Sequence, residues 1–247
     1  MRSIRRLHAA LVALAAGVTL FPAVPALAAP AGPPGLDVSG WQSGDNFWPR
    51  VFQQGGRFAY VKATEGLSSR TNPNFARQYN GAYQAGLIRG AYHFAIPSPT
   101  SGGARQADFF VDHGGGWSRD GRTLPGAVDL EGYPGRPDQC YGMRGTPMVN
   151  WIRDFSNRYQ ARTGRRPVIY TRTNWWNTCT GRSTAFGSTS PLWLAEFGVR
   201  KPSSVPAGWS TYSFWQWSDK QTPFPGDQDV WNGPADRLRV MACGGPC

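Results

Sequence analysis

Short apolar runs rich in β-branched and aromatic residues recur along the chain, separated by polar and glycine-containing stretches. Runs of this length and composition predict β-strands. We predict eight strands, at residues 36–39, 58–64, 88–95, 126–131, 167–171, 192–197, 212–218 and 228–232.

Helical patterns lie between the early strands, at residues 47–54, 74–85, 104–111 and 147–162. The clearest is the last, in which four apolar residues recur at helical spacing: Val149, Ile152, Phe155 and Tyr159. There Thr146 is the expected N-cap, Pro147 the first helical residue and Gly164 the terminator.

Strands that alternate with helices predict parallel β/α units. The last third departs from this pattern: residues 198–211 contain two prolines, and residues 219–227 are too few for an ordinary parallel crossover. One of the last strands could therefore run antiparallel. We predict an α/β fold, a modified TIM-like barrel of about five β/α units followed by three mainly helix-free strands.

The first 28 residues have the features of a secretory signal peptide. Arg2, Arg5 and Arg6 precede an apolar run over residues 9–21, and small residues follow at 26–28. The run is shorter than the roughly 20 residues that a membrane anchor needs. We expect cleavage near Ala28 and one exported catalytic domain over residues 29–247, with no membrane association afterwards and a monomer as the default.

The formal net charge is +11, or +8 without the three leader arginines. A basic protein favours an anionic partner. For an exported protein, a bacterial wall with peptide carboxylates suits the compartment better than nucleic acid, which we do not expect as a partner. A basic surface without a specific partner is the alternative.

Four cysteines in an exported chain usually form disulfides, and four allow three connectivities. Cys243 and Cys247 enclose only Gly-Gly-Pro, so they could close a tight loop and leave Cys140 to pair with Cys179. We favour that connectivity. The sequence has no CxxC motif and only two histidines after the leader, so we expect neither a metal nor another cofactor.

Asp129 and Glu131 stand at the end of the fourth predicted strand. Side chains at i and i+2 share one face of a strand, and barrel enzymes place catalytic residues at the carboxyl ends of strands. Two close carboxyls raise the pKa of one of them. We assign Glu131 as a general acid and Asp129 as an ionised partner. A solvated strand end is the alternative, because Asp-x-Glu alone is common.

Three other predicted strands carry charges that a barrel core does not need. Asp37 lies on the first, Lys62 and Glu65 end the second, and Asp229 lies on the eighth. Because burying an unpaired charge is costly, we expect these residues to converge on one site.

Aromatic residues are interleaved with these acids. Eleven tryptophans and several tyrosines favour a carbohydrate groove, although any single ring is more often a core residue. The candidate substrate-binding residues, with Lys62 and Glu65, are Tyr60, Tyr92, Tyr133, Tyr170, Trp193 and Gln216.

Five ordered motifs run along the chain: Asp37-Val38-Ser39-x-Trp41-Gln42, Tyr60-Val61-Lys62-Ala63-Thr64-Glu65-Gly66, Gly90-Ala91-Tyr92-His93-Phe94, Asp129-Leu130-Glu131 and Phe214-Trp215-Gln216-Trp217. Together they resemble glycoside hydrolase family 25, the Chalaropsis-type lysozymes or N-acetylmuramidases.

The resemblance covers residues 36 to about 233. It implies cleavage of the β-1,4 bond between N-acetylmuramic acid and N-acetylglucosamine in peptidoglycan. It also implies Glu131 as the acid, with Asp129, Asp37 and Asp229 as catalytic partners. The assignment of Asp229 is open to revision, because Asp227 and Asp219 lie nearby.

Our mechanistic hypothesis is retention by substrate assistance, in which the sugar's own acetamido oxygen attacks while Asp129 orients it. Direct attack by Asp229 or Asp37 is the alternative. Three other functions compete: a chitinase of another barrel family, in which a further Asp would replace Ala127; a non-catalytic wall-binding module; and an exported nuclease, which only the charge suggests.

Overall fold

The computed structural model describes residues 29–44, 46–68 and 71–247, so the proposed signal peptide lies outside the described residues. Eight strands form within two residues of the predicted positions. They are β1 Pro34–Val38, β2 Phe58–Glu65, β3 Ile88–Phe94, β4 Ala127–Leu130, β5 Val168–Thr171, β6 Leu192–Ala195, β7 Phe214–Ser218 and β8 Asp227–Trp231.

The strands close into one barrel in sequence order. Neighbours from β1 to β7 are parallel, whereas β8 is antiparallel to both β7 and β1. The segment before β8 is too short to carry the chain back to the opposite end of the barrel, so β8 starts at the rim where β7 ends. The fold is therefore the modified α/β barrel that the sequence predicts, with the reversed strand as the last one.

Six α-helices accompany the described strands: α1 Trp48–Gln53, α2 Phe75–Gln84, α3 Gly103–Phe110, α4 Thr146–Thr163, α5 Thr173–Thr180 and α6 Ala235–Cys243. A π-helical turn, Val111–Gly115, continues α3. The segments that join β6 to β7 and β7 to β8 are helix-free, which confirms the asymmetry of the predicted barrel. No helix in the described part of the chain is both long and apolar enough to cross a membrane.

Helix α4 packs its predicted apolar face inward, and Gly164 ends it in the left-handed conformation, with φ 74°. The predicted cap was wrong. The helix begins at Thr146, and Gly145 occupies the N-cap with φ 62° and ψ −129°, a conformation that favours glycine. The Thr146 side chain therefore makes no capping hydrogen bond.

Two helices were not predicted. Helix α5 is rich in Thr and Asn, which are weak helix formers, but it buries Trp175 and Trp176. Helix α6 belongs to the C-terminal segment, to which we had assigned no role. It buries Leu238 and Ala242 in the same cluster as Phe58 at the amino-terminal end of the barrel. Tertiary burial stabilises both helices where local propensity does not.

Both favoured disulfides are present. Cys140 and Cys179 join the loop after β4 to helix α5, with a Cα–Cα distance of 5.3 Å. Cys243 and Cys247 close the short loop at the end of α6, with a Cα–Cα distance of 5.5 Å. The first bridge therefore ties the loop after β4 to the helix that follows β5.

Candidate active site

A cleft of about 330 Å³ opens at the carboxyl ends of the parallel strands, and four carboxyl side chains line it. One lies on β4, one directly follows β4, one comes from β1 and one from β8: Asp129, Glu131, Asp37 and Asp227. Its volume is in the range of small-molecule sites. We call it the acidic cleft.

Asp129 and Glu131 point into the acidic cleft together, as their spacing predicts. Asp129 is buried and Glu131 is partly exposed. Burial is the largest cause that raises the pKa of Glu131, and the positive charges of Arg172 and Lys62 oppose it. A raised pKa holds a proton on this carboxyl, as a general acid requires.

The pKa of Asp129 is also raised, well above its usual range, by burial first and by the charge of Glu131 second. We had expected Asp129 to stay ionised. Burial instead shifts the titration of Asp129 toward its protonated form, and its Oδ1 lies buried with no hydrogen-bond partner among the described residues. A donor supplied by a ligand would favour the carboxylate.

Gln216 holds the two acids on the opposite wall. Its Nε2 donates to Asp37 at 2.7 Å and to Asp227 at 3.3 Å, and its Oε1 accepts a bond of 2.8 Å from the Tyr170 hydroxyl. Burial and the nearby Asp227 raise the pKa of Asp37 to about 8, although the Gln216 bond opposes the shift. Burial and Asp219 raise the pKa of Asp227 to about 6.

Asp229 does not line the acidic cleft. Its side chain is 1% exposed and accepts a hydrogen bond of 2.8 Å from Trp193 Nε1. Because β8 is antiparallel, it begins at the rim of the cleft, where its first residue, Asp227, pairs with Asp37. Asp229 lies two residues deeper in the barrel. Asp227 thus occupies the position that we had assigned to Asp229. The reversed strand explains the difference.

Tyr60 is also remote from the cleft, although we had predicted it to bind substrate. It is fully buried, its ring stacks on Trp193 at a centroid distance of 4.7 Å, and its hydroxyl donates to the backbone oxygen of Pro125. Its partner in β3 is Gly90, where a Cβ would collide with the ring. Tyr60 fills the barrel interior.

Lys62 reaches the cleft, whereas Glu65 and Tyr133 do not line it. Lys62 Nζ contacts Glu65 Oε2 at 2.6 Å, and the Tyr133 hydroxyl donates to the other Glu65 oxygen at 3.0 Å. Lys62 shares the inward face of β2 with Tyr60, two residues earlier, and the register of β2 shifts only after Lys62. Glu65 and Tyr133 therefore position the lysine rather than contact the cleft.

Tyr92, Tyr170, Trp193 and Gln216 line the acidic cleft as predicted. Asp227 and Trp41 line it as well. The sequence reasoning named Asp227 only as an alternative to Asp229, and it gave Trp41 no role in the site. The Trp41 side chain is 91% exposed at the rim. The first motif contains Trp41, three residues after β1 ends, and so already placed this ring near a strand end.

Glycosyl hydrolases family 25 matches residues 36–226, a span that contains Asp37, Asp129 and Glu131. The chain belongs to this family. It is a glycoside hydrolase, and the resemblance drawn from the five sequence motifs is confirmed.

Two relatives of this family 25 chain illustrate the similarity. Lysozyme M1 of Streptomyces globisporus is 50% identical over 212 residues, covering 84% of this chain and 70% of that protein. The N,O-diacetylmuramidase of Chalaropsis sp is 47% identical over 213 residues, covering 85% of this chain and 99% of that protein.

Solved structures of the family share the barrel. The bacterial lysozyme from Streptomyces coelicolor superposes with a TM-score of 0.83 at 47% identity, covering 87% of this chain and 99% of that one. The muramidase from Acremonium alcalophilum gives a TM-score of 0.81 at 50% identity, covering 85% and 99%.

Proposed function

We propose that this family 25 enzyme is a secreted muramidase. It hydrolyses the β-1,4 bond between N-acetylmuramic acid and N-acetylglucosamine in bacterial peptidoglycan. The observation that carries the proposal is the pair Asp129 and Glu131 in one acidic cleft, with the pKa of Glu131 raised by burial. The lysozyme and muramidase names of the relatives support the substrate class.

Glu131 starts the reaction as general acid. It donates its proton to the glycosidic oxygen while the acetamido oxygen of the same sugar attacks the anomeric carbon from the opposite face. The bond from that carbon to the leaving oxygen breaks, and an oxazolinium ion forms. Asp129 accepts a hydrogen bond from the acetamido N–H and stabilises the positive charge.

The second step reverses the proton transfer. The Glu131 carboxylate takes a proton from water, and the oxygen of that water attacks the anomeric carbon on the face that the leaving group vacated. The oxazolinium ring opens, the acetamide is restored and the anomeric configuration is retained. Asp129 sits beside Glu131 on the same strand, so we assign it to orientation rather than direct attack.

The opposite wall binds the sugar. Gln216 fixes Asp37 and Asp227, which provide acceptors for hydroxyl or amide groups. Trp41 provides a ring face at the rim, where the C–H face of a sugar can stack. We propose Asp227, rather than Asp229, as the fourth carboxyl of the site because it lines the cleft.

Export accords with the leader-like residues 1–28 and with two disulfides, which persist in oxidising compartments. Sequencing the N-terminus of protein collected from the culture medium tests this part. We expect it to begin at or near Ala29, and a chain retained in the cytoplasm with Met1 intact would contradict the expectation.

Digestion of purified peptidoglycan tests the activity. Mass spectrometry of the released fragments should find muramic acid at the reducing end, whereas reducing-end glucosamine would indicate the other bond. Glu131→Gln should lower turnover by about 10²- to 10⁴-fold, the range attributed to general acid catalysis, with unchanged thermal unfolding. Near-wild-type turnover of this variant would disprove the assignment of Glu131 as the acid. A parallel assay on purified chitin distinguishes a muramidase from a chitinase, because only a chitinase should prefer chitin to peptidoglycan.

The anomer formed first tests the finer mechanism. Proton NMR during early hydrolysis of a soluble wall fragment should detect the β-anomer before mutarotation. An initial α-anomer would mean direct attack by water and would remove the role proposed for the acetamido group.

A further inference from the structure

A second cavity of about 430 Å³ adjoins the acidic cleft and shares Glu131 with it. Arg144, Arg172, Trp175 and the Cys140–Cys179 bridge form part of its lining. We call it the lateral cavity. Glu131 faces both spaces, so a strand bound across the acidic cleft can continue past Glu131 into the lateral cavity.

Arg172 is the arginine of the lateral cavity that forms no ion pair within the described part of the chain. Its guanidinium carbon lies 4.5 Å from the centroid of the Phe197 ring. Among residues 29–44, 46–68 and 71–247, no carboxylate lies within ion-pair distance of it and its guanidinium donates no hydrogen bond. Arg144 differs, since it pairs with Asp138 at 2.8 Å. An exposed cation held on an aromatic face is preorganised for a planar anion.

The guanidinium is close enough to act on the acidic cleft. Its charge lowers the pKa of Glu131 and of Asp227 against the larger effect of burial. Arg172 lines the lateral cavity together with Glu131, but it does not line the acidic cleft. On its other side, Arg172 and Phe197 line a further cavity that also contains Glu196.

We propose that the lateral cavity binds the leaving-group side of the glycan and that Arg172 binds a carboxylate carried by that part of the strand. The proposal rests on the proposed function, because Glu131 must face the leaving oxygen and the strand beyond that oxygen then enters the lateral cavity. Carboxylates are carried by the lactyl group of muramic acid, or by the stem peptide when one is attached. A chitin strand has none, so Arg172 is a specificity-determining residue.

Binding to a non-hydrolysing enzyme tests the proposal. In the Glu131→Gln background, calorimetry compares three tetrasaccharides of alternating glucosamine and muramic acid. The first has free lactyl carboxylates, the second has the same groups as neutral methylamides, and the third bears stem peptides. Arg172→Met should weaken binding of a carboxylated ligand about tenfold and leave the methylamide within twofold.

Two matched variants act as controls. Arg172→Lys keeps the charge but loses the planar fork, so it should weaken binding less than Arg172→Met. Arg50→Ala removes an exposed arginine of α1 that lines neither cavity, and it should change no dissociation constant.

The carboxylated ligands distinguish the source of the anion. If Arg172→Met loses affinity for the ligand with free lactyl carboxylates, the lactyl group is the anion that Arg172 binds. If affinity falls only for the ligand with stem peptides, the anion belongs to the peptide. If Arg172→Met weakens neither, or weakens the methylamide equally, the proposal is overturned. The proposed function fails separately, if the wild-type enzyme releases no muramic acid ends from peptidoglycan.

The pH profile of kcat provides a second readout in the enzyme with Glu131 intact. Arg172 lowers the pKa of that acid, so Arg172→Met should move the alkaline limb of kcat to higher pH. Arg172→Lys should move it less. An unshifted limb would contradict the placement of the guanidinium beside Glu131.

Discussion

The indole nitrogen of Trp193 donates a hydrogen bond of 2.8 Å to Asp229, beneath the floor of the acidic cleft. Burial, and then the charge of Asp37, raises the pKa of Asp229 well above its usual range. Its Oδ1 accepts the indole N–H, whereas its Oδ2 is buried with no hydrogen-bond partner among the described residues. Asp229 therefore supports the cleft from below, whereas Asp227 lies in it.

This arrangement predicts opposite results for two conservative variants. Asp229→Asn keeps an oxygen that accepts the Trp193 indole N–H, so we expect activity on peptidoglycan within about tenfold of wild type. Asp227→Asn removes a carboxyl from the cleft and should lower kcat/KM by about a hundredfold or more, with little change in unfolding. Steady-state turnover of wall fragments measures both, and a larger loss for Asp229→Asn would reverse the assignment.

The indole bond itself predicts a stability effect. Asp229→Ala leaves the buried Trp193 N–H without its acceptor, which costs about 1–3 kcal/mol. Urea unfolding of Asp229→Ala and Asp229→Asn measures the difference. Equal stability of the two variants would mean that the hydrogen bond is not maintained in solution.

The raised pKa of Asp37 predicts a pH-dependent stability. Between pH 3.8, the ordinary pKa of this carboxyl, and about pH 8, the folded protein keeps Asp37 protonated whereas the unfolded chain has lost the proton. The free energy of unfolding should therefore fall as pH rises across this window and level off above it. Asp37→Asn removes that slope.

His93 contributes the opposite slope, because burial lowers its pKa from 6.5 to about 4. His93 is present in both proteins, so its slope cancels in the difference between wild type and Asp37→Asn. That difference reports Asp37 together with its electrostatic coupling to Asp227 and Asp229. Urea unfolding at pH 5, 6.5 and 8 should find the wild type losing stability relative to the variant as pH rises. Parallel curves would exclude a raised pKa at Asp37.

The exposed ring at the rim predicts an effect on binding without an effect on stability. Trp41→Ala should raise KM roughly three- to tenfold, which corresponds to the energy of one aromatic contact, and Trp41→Phe should raise it less. Phe52→Ala removes another exposed ring, on α1, and should leave KM unchanged. An unchanged KM for Trp41→Ala would remove the stacking role.

The two disulfides should differ in their contributions to stability. The Cys140–Cys179 bridge spans 39 residues, and a loop of this length corresponds to about 4 kcal/mol of chain entropy. The Cys243–Cys247 bridge spans 4 residues and corresponds to about 2 kcal/mol by the same relation. Double Cys→Ala variants compared by thermal unfolding test the order, and a larger loss for the terminal bridge would contradict it.

The sequence by itself determined the barrel and the principal acids. Alternation of apolar runs with helical periodicity is local information, and it located all eight strands and the first four helices. The spacing of Asp129 and Glu131 on a strand end is also local, because side chains two residues apart share a face.

Only the tertiary structure decided which acid of β8 reaches the cleft. Asp227 and Asp229 share a face, so the sequence distinguishes them only if the direction of the strand is known, and that direction depends on how the barrel closes. The same reason separates Tyr60 from Tyr92. Both lie on barrel strands, but depth along the barrel axis makes one a core residue and the other part of the cleft.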